Sequence, residues 1–324
     1  MSQVARSSYV VGPGEVLADV LGLGSDQVVR LSGSRVEIVS PEPDGGVLRS
    51  FEAGTSATWP GCDLPFHGQD VLRAVGHRAS RVAVVGDRIA VSVVRCAADS
   101  HTDERGSSLV SLYDGDGTLV TWRFFTGGVA VTALDGLVVD GVPFLAIGLS
   151  TSGVRVVRAD RVGLPDHHSV AADWRDAASR GGDREIATAV AFGTADESRS
   201  ILVSAAITGD GTAVVATDVR DGRLLWADNI LSAEPLRDHP TSIAVGPFGH
   251  AGIPTVSVAW SSGRLTLHDA SRGTRPYRVE PQPGNAVTAQ SFVTGRNGRH
   301  WLAVQRDRDL RAVLLSGESR QLLA

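Results

Sequence analysis

No lysine occurs in the 324 residues, and all 31 basic side chains are arginine. A lysine Schiff base and a phosphate loop ending in Gly-Lys are therefore excluded. Cysteine is almost as scarce, with only Cys62 and Cys96. They are not spaced as a CxxC pair, and two thiols do not make a disulfide framework, so a reducing, cytoplasmic setting is expected. There is no GxSxG elbow, no HExxH and no GxGxxG after a strand, so no catalytic residue and no cofactor is expected. The opening MSQVARSSYVVGPG has no apolar core and reads as no signal peptide. The most apolar stretch, Gly127 to Leu149, is interrupted by Asp135 and Asp140. It reads as two strands and not as a membrane span. The formal net charge of -5 comes with no basic block, so neither a nucleic-acid nor a membrane partner is expected.

What is present is glycine, 37 residues of it, on a background of 42% hydrophobic and 21% charged residues. Such a composition favours tight turns over long helices. Short apolar runs bounded by Gly, Asp, Ser or Asn recur along the whole chain. Four segments align by eye: AVTALDGLVVDGVPFLAIGLSTSGVRVVRAD, ATAVAFGTADESRSILVSAAITGDGTAVVATD, TSIAVGPFGHAGIPTVSVAWSSGRLTLHD and AVTAQSFVTGRNGRHWLAVQRDRDLRAVLLS. Each reads strand, turn, strand, turn, strand, and a fourth run follows at TLVTWRFF (118–125) and RLLWADNI (223–230).

The third strand ends at Asp114, Asp160, Asp218 and Asp269, with Ser40 and Ser316 at the same place in the other two units. The separations are 74, 46, 58, 51 and 47 residues, against the roughly 40–50 residues that a four-stranded repeat occupies. An aromatic follows eight residues later at Trp122, Trp226 and Tyr277, with Gly117, Gly222 and Gly273 in the intervening turns. The aspartate suits turn amides, and the aromatic suits covering a neighbouring unit.

These residues resemble degenerate WD40-like repeats of actinobacterial type, with a quinoprotein-like stretch in TDVRDGRLLW. Tyr113-Asp114, Ala159-Asp160, Thr217-Asp218 and His268-Asp269 stand where that family has Trp-Asp. The resemblance implies an all-β, single-domain β-propeller over 1–324, with about six four-stranded blades and seven as the alternative. The blades fall at about 14–52, 79–126, 128–162, 186–231, 241–281 and 285–324, with insertions at 53–78 and 163–185. N- and C-terminal strands, Ser8–Val11 beside Gln321–Leu323, are expected to close the ring.

In such a ring, links between blades and loops between second and third strands share one face. The long loops 53–78, 95–107 and 163–185 all belong to it, and binding residues concentrate on loops held by a rigid scaffold. The expectation is a non-catalytic scaffold that binds another protein through this face, with Arg73, Arg78 and Arg105 suited to an acidic partner. His167, His168 and Trp174 are further binding candidates on the third loop. Ser169, Val170, Trp174 and Ala177 have the spacing of a short helix there.

The alternative is a propeller enzyme, a hydrolase or lyase, with its site at the channel mouth. Glu185, His239 and Asn285 share one repeat phase, just before the first strand of their units, and are the candidate metal ligands. A histidine there also serves to bond within its blade. A cofactor binder of the quinoprotein kind is a third possibility, and only one repeat of that type speaks for it.

Overall fold

The strands are of two kinds, and the difference locates the core. Arg35–Val39, RVEIV, buries Val36 and Ile38 while Arg35 is exposed, the period of two expected of a strand on its pleated sheet. Gly211–Asp218, GTAVVATD, is buried at every position but the last, which marks a strand covered on both faces.

The computed structural model describes residues 15–32, 35–42, 45–53, 81–95, 107–125, 130–150, 153–159, 186–196, 198–209, 211–231, 238–249, 251–274, 277–279, 287–294, 298–306 and 309–315. All the strands among them belong to six antiparallel sheets, each a meander in chain order. The first contains β1 (Glu15–Ala18), β2 (Gln27–Ser32), β3 (Arg35–Val39) and β4 (Val47–Glu52). The second contains β5 (Arg81–Val85), β6 (Arg88–Arg95), β7 (Ser107–Asp114) and β8 (Leu119–Phe125). The third contains β9 (Val131–Val139), β10 (Val142–Leu149) and β11 (Gly153–Arg158). The fourth contains β12 (Ile186–Thr194), β13 (Ser200–Thr208), β14 (Gly211–Asp218) and β15 (Leu224–Leu231). The fifth contains β16 (Pro240–Phe248), β17 (Ile253–Trp260), β18 (Leu265–Asp269) and β19 (Tyr277–Val279). The sixth contains β20 (Val287–Thr294), β21 (His300–Arg306) and β22 (Asp309–Leu315).

The fold is all-β, and the apolar stretch Gly127 to Leu149 supplies β9 and β10. Asp140 turns the chain between them with φ of 51°, a left-handed conformation that aspartate tolerates better than most residues. The terminal segments expected to close a ring lie outside the described residues, as do the proposed helix near Trp174 and nearly all of the three long loops.

The chain divides into two compact units. One holds β1 to β10 and most of β11, and the other holds β12 to β22. In the first unit, β5 is the hinge of the packing. Its Val82 and Val84 join Val29, Val36 and Ile38 of the first sheet in one core cluster. Ala83 and Val85, on its opposite face, join Leu145 and Ile147 of the third sheet in another. A strand between two sheets must be apolar on both faces, which accounts for the run VAVV. Each fully buried valine or isoleucine contributes about 1.5–3 kcal/mol relative to exposure.

The second unit repeats this arrangement. Val203, Val214 and Ala216 of the fourth sheet pack with Val256, Val258 and Trp260 of the fifth. Leu265 and Leu267 of the fifth pack with Leu302 and Val304 of the sixth. The first strands of these sheets approach closely, and a Cβ on Gly246 of β16 would lie 2.7 Å from the Cβ of Phe292 in β20. Only glycine fits at such a crossing.

Candidate functional site

The aspartates at the ends of third strands hold their turns. Oδ1 of Asp269 accepts from the N–H groups of Ser271 and Arg272 at 2.8 and 2.9 Å. Oδ1 of Asp218 accepts from the N–H of Arg220 at 2.9 Å. The second sheet differs. Its turn is shorter by one residue, Asp116 takes the N–H of Thr118 at 2.9 Å, and Asp114 instead faces Arg88 at 3.8 Å.

The turn after β18 reaches over the fourth sheet. Trp226 on β15 donates its indole N–H to the carbonyl of Ala270, and the hydroxyl of Ser271 donates to the carbonyl of Ala195. Beneath it, His268 occupies the place where the resembled family has tryptophan. It is fully buried and stacks on Trp226 at 5.6 Å with the rings 7° apart. Its Nε2 lies 3.2 Å from the hydroxyl of Thr266, which in turn accepts from the indole N–H of Trp260 at 3.2 Å. Its Nδ1 faces the Asp228 carboxylate at 3.7 Å. An aromatic-polar chain thus joins the fourth and fifth sheets.

His239 stands immediately before β16, at the repeat phase read from the sequence. It is 2% exposed, so its imidazole is not offered to solvent. Its N–H donates to the Ser261 hydroxyl at 3.2 Å, and its carbonyl accepts from the Ser261 N–H at 2.9 Å. Beside it, Asp238 holds the Arg264 guanidinium at 2.9 Å, and that guanidinium lies 3.9 Å over the Trp260 ring. Arg306, 4% exposed, donates to the carbonyl of Gly263. These contacts tie the start of β16 to the turn between β17 and β18, and the Asp238 carboxylate is committed to a guanidinium.

Among the described residues, no three or more His, Cys, Asp or Glu side chains come together in a way that could hold a metal ion. Glu185 and Asn285 lie outside the described residues, as do Arg73, Arg78, Arg105, His167, His168 and Trp174.

Sequence reasoning missed one feature. Among the described residues, the large apolar side chains that remain exposed are Leu23, Val47, Leu48, Leu119, Val120, Val138, Leu224 and Ile253. Each lies in or beside a turn joining first to second or third to fourth strands. Val47-Leu48, Leu119-Val120 and Leu224 open fourth strands, a recurrence visible in the repeat once its phase is known. Within each sheet these turns leave from the end opposite the loop between second and third strands.

No protein-family model matches the chain, and no curated protein matches it in sequence. Solved structures do resemble it. BBS1N in complex with ARL6DN is 11% identical with a TM-score of 0.54, over 99% of this chain and 82% of that one. Sqt1 of Saccharomyces cerevisiae is 11% identical with a TM-score of 0.55, over 92% of this chain and 70% of that one. The Dos1 propeller is 10% identical with a TM-score of 0.50, over 97% and 73%. At such identities the likeness speaks for the fold alone, and the fold is a β-propeller.

Proposed function

We propose that this propeller is a non-catalytic scaffold that holds another protein on the face carrying loops 53–78, 95–107 and 163–185. The reading takes 1–324 as one domain of about six blades, with seven as the alternative, closed through Ser8–Val11 and Gln321–Leu323 and working in the cytoplasm. The repeats are WD40-like of actinobacterial type, and the quinoprotein-like stretch is a local variation. Arg73, Arg78 and Arg105 supply charge for an acidic partner, and His167, His168 and Trp174 add contacts on the third loop.

The observation that carries the reading is the likeness, over nearly the whole chain, to a protein solved in complex with another: BBS1N with ARL6DN. A rigid β scaffold that tolerates long loops is well suited to such docking.

The test is affinity capture with the tagged full chain and with the triple variant Arg73→Ala, Arg78→Ala, Arg105→Ala. Proteins retained by the parent and lost from the variant support the scaffold face. Equal retention by both overturns it. The variant Glu185→Ala, Asn285→Ala is expected to keep its partners, and losing them would move the working site to the start of the first strands.

A further inference from the structure

The first unit carries an unusual surface where its sheets turn. The turn between β1 and β2 places Leu23 at 64% exposure, and Val47 and Leu48 open β4 at 51% and 49%. Leu119 opens β8 at 50%, and Val138, one residue before the end of β9, is at 44%. Isolated exposed apolar residues are ordinary, but a connected group of them marks an interaction surface.

The turns that carry these residues are connected. A Cβ on Gly115, in the turn between β7 and β8, would lie 3.6 Å from Leu21 Cδ2 in the turn between β1 and β2. One on Gly117 would lie 2.7 Å from the Phe51 ring of β4. One on Gly86, in the turn between β5 and β6, would lie 3.4 Å from Val138 Cγ2. Arg88 and Asp114 link the turn after β5 to the turn after β7 at 3.8 Å. Three sheets thus present one continuous end.

Among the described residues, the charge at that end has one dominant sign. Asp19, Asp26, Glu42, Asp87, Asp116 and Asp140 stand on its turns. Against them, Arg88 is engaged by Asp114, Arg49 adds its charge close to Asp116, and Arg158 ends β11. Hydrogen bonds from Gln27 and from the Thr118 backbone hold Asp19 and Asp116 below the usual carboxylate value, so both are ionised at neutral pH. The corresponding turns of the second unit differ. There Arg199, Arg220, Arg223 and Arg272 alternate with aspartates, and only Leu224 and Ile253 are large, apolar and exposed among the described residues.

We propose that the turn end of the first unit docks a basic, amphipathic polypeptide segment. Apolar side chains of the segment cover Leu23, Val47, Leu119 and Val138, while its arginines or lysines meet the acidic side chains of these turns. Charge complementarity sets the partner's sign and its rate of encounter, and the apolar contacts supply most of the affinity. This surface is separate from the loop face proposed above, and the two fail independently.

The test uses fluorescence anisotropy of a labelled amphipathic Leu/Arg peptide, about 18 residues long and with apolar residues at helical spacing, titrated with the full chain. A matched peptide with serine in place of leucine is the control. Binding of the Leu/Arg peptide is expected to weaken about tenfold in Val47→Ser, Leu119→Ser, Val138→Ser and in Asp87→Asn, Asp116→Asn, Asp140→Asn. It should be unchanged in Leu224→Ser, Ile253→Ser. Leu119→Ser alone, at a half-exposed position, gives the same direction if the apolar triple variant unfolds. Three results overturn the proposal: equal binding of the serine peptide, affinity indifferent to the first-unit variants, or no binding by the parent. Sedimentation adds a fourth, because concentration-dependent dimerisation abolished by Leu119→Ser would make a second copy of the chain the occupant.

Discussion

The indole of Trp226 donates its N–H to the carbonyl of Ala270, 2.9 Å away on the neighbouring sheet of the same unit. This bond fastens the outer strand of one sheet beneath the third-to-fourth-strand turn of the next. Trp226→Phe keeps most of the bulk and loses the donor, leaving the buried carbonyl short of a partner. It should cost about 1 kcal/mol in urea unfolding, and Trp226→Ala about 3–5 kcal/mol. If the alanine variant unfolds at the parent's midpoint, the aromatic is not holding the sheets together.

Gly273 belongs to the same contact. Its φ is +70°, and a Cβ there would lie 2.6 Å from the indole Cδ2. Gly273→Ala should therefore destabilise by about 1–3 kcal/mol through backbone strain and displacement of the ring. Combined with Trp226→Ala, which removes the obstacle, part of the loss should return. Strict additivity of the two substitutions would show that the ring and the glycine do not interact.

Gln290 joins the fifth and sixth sheets. Its amide donates to the carbonyls of Ser242 and Ser257 at 2.9 and 3.1 Å, and its oxygen accepts from the Ser257 hydroxyl at 2.7 Å. Ser257 is fully buried, so Gln290→Leu strands polar groups away from water and should cost about 1–3 kcal/mol. Urea denaturation would measure it. Replacing Ser257 by alanine in the leucine variant should recover part of that cost, because one stranded hydroxyl is removed.

Arg264 meets Asp238 at 2.9 Å and covers the Trp260 ring at 3.9 Å. Lysine keeps the charge but not the planar fork that makes both contacts. Arg264→Lys should lower stability by about 1 kcal/mol. An unchanged midpoint in chemical denaturation would mean that the stacked guanidinium contributes nothing beyond its charge.

Three carboxylates on turns are held low in the folded state. Asp19 is held low chiefly by the Gln27 side chain, Asp116 by the Thr118 backbone N–H, and Asp196 by the Ser198 backbone N–H. Their folded pKa values lie below the ordinary 3.8. Their contribution is therefore fully present above that value and is lost as pH falls through the folded values. The melting temperature of the parent should drop as the pH is lowered below about 4. The variant Asp19→Asn, Asp116→Asn, Asp196→Asn should show a shallower drop over the same range. Identical slopes would remove these groups from the acid transition.

Much of the fold was legible in the sequence because strands and turns are written in local chemistry. The run VAVV in β5 announces a strand covered on both sides. The aspartate and glycine of Asp218–Gly222 and Asp269–Gly273 announce the turn into a fourth strand. The quoted runs TLVTWRFF and RLLWADNI became β8 and β15 for the same reason. The site was less legible. The phase placed His239 before β16, but its burial depends on how the turn at Ser261 folds back over it.

The sequence by itself determined that the chain is built of short strands joined by tight turns in repeating units, since period-two alternation and turn chemistry act over a few neighbouring residues. Only the tertiary structure decided what those strands cover. Trp226 and Ala270 are 44 residues apart, and no local pattern specifies that their sheets meet. It likewise decided that His268 stacks on Trp226 and that Leu119 and Val138 stay uncovered, because burial is set by whichever surface another part of the chain happens to occupy.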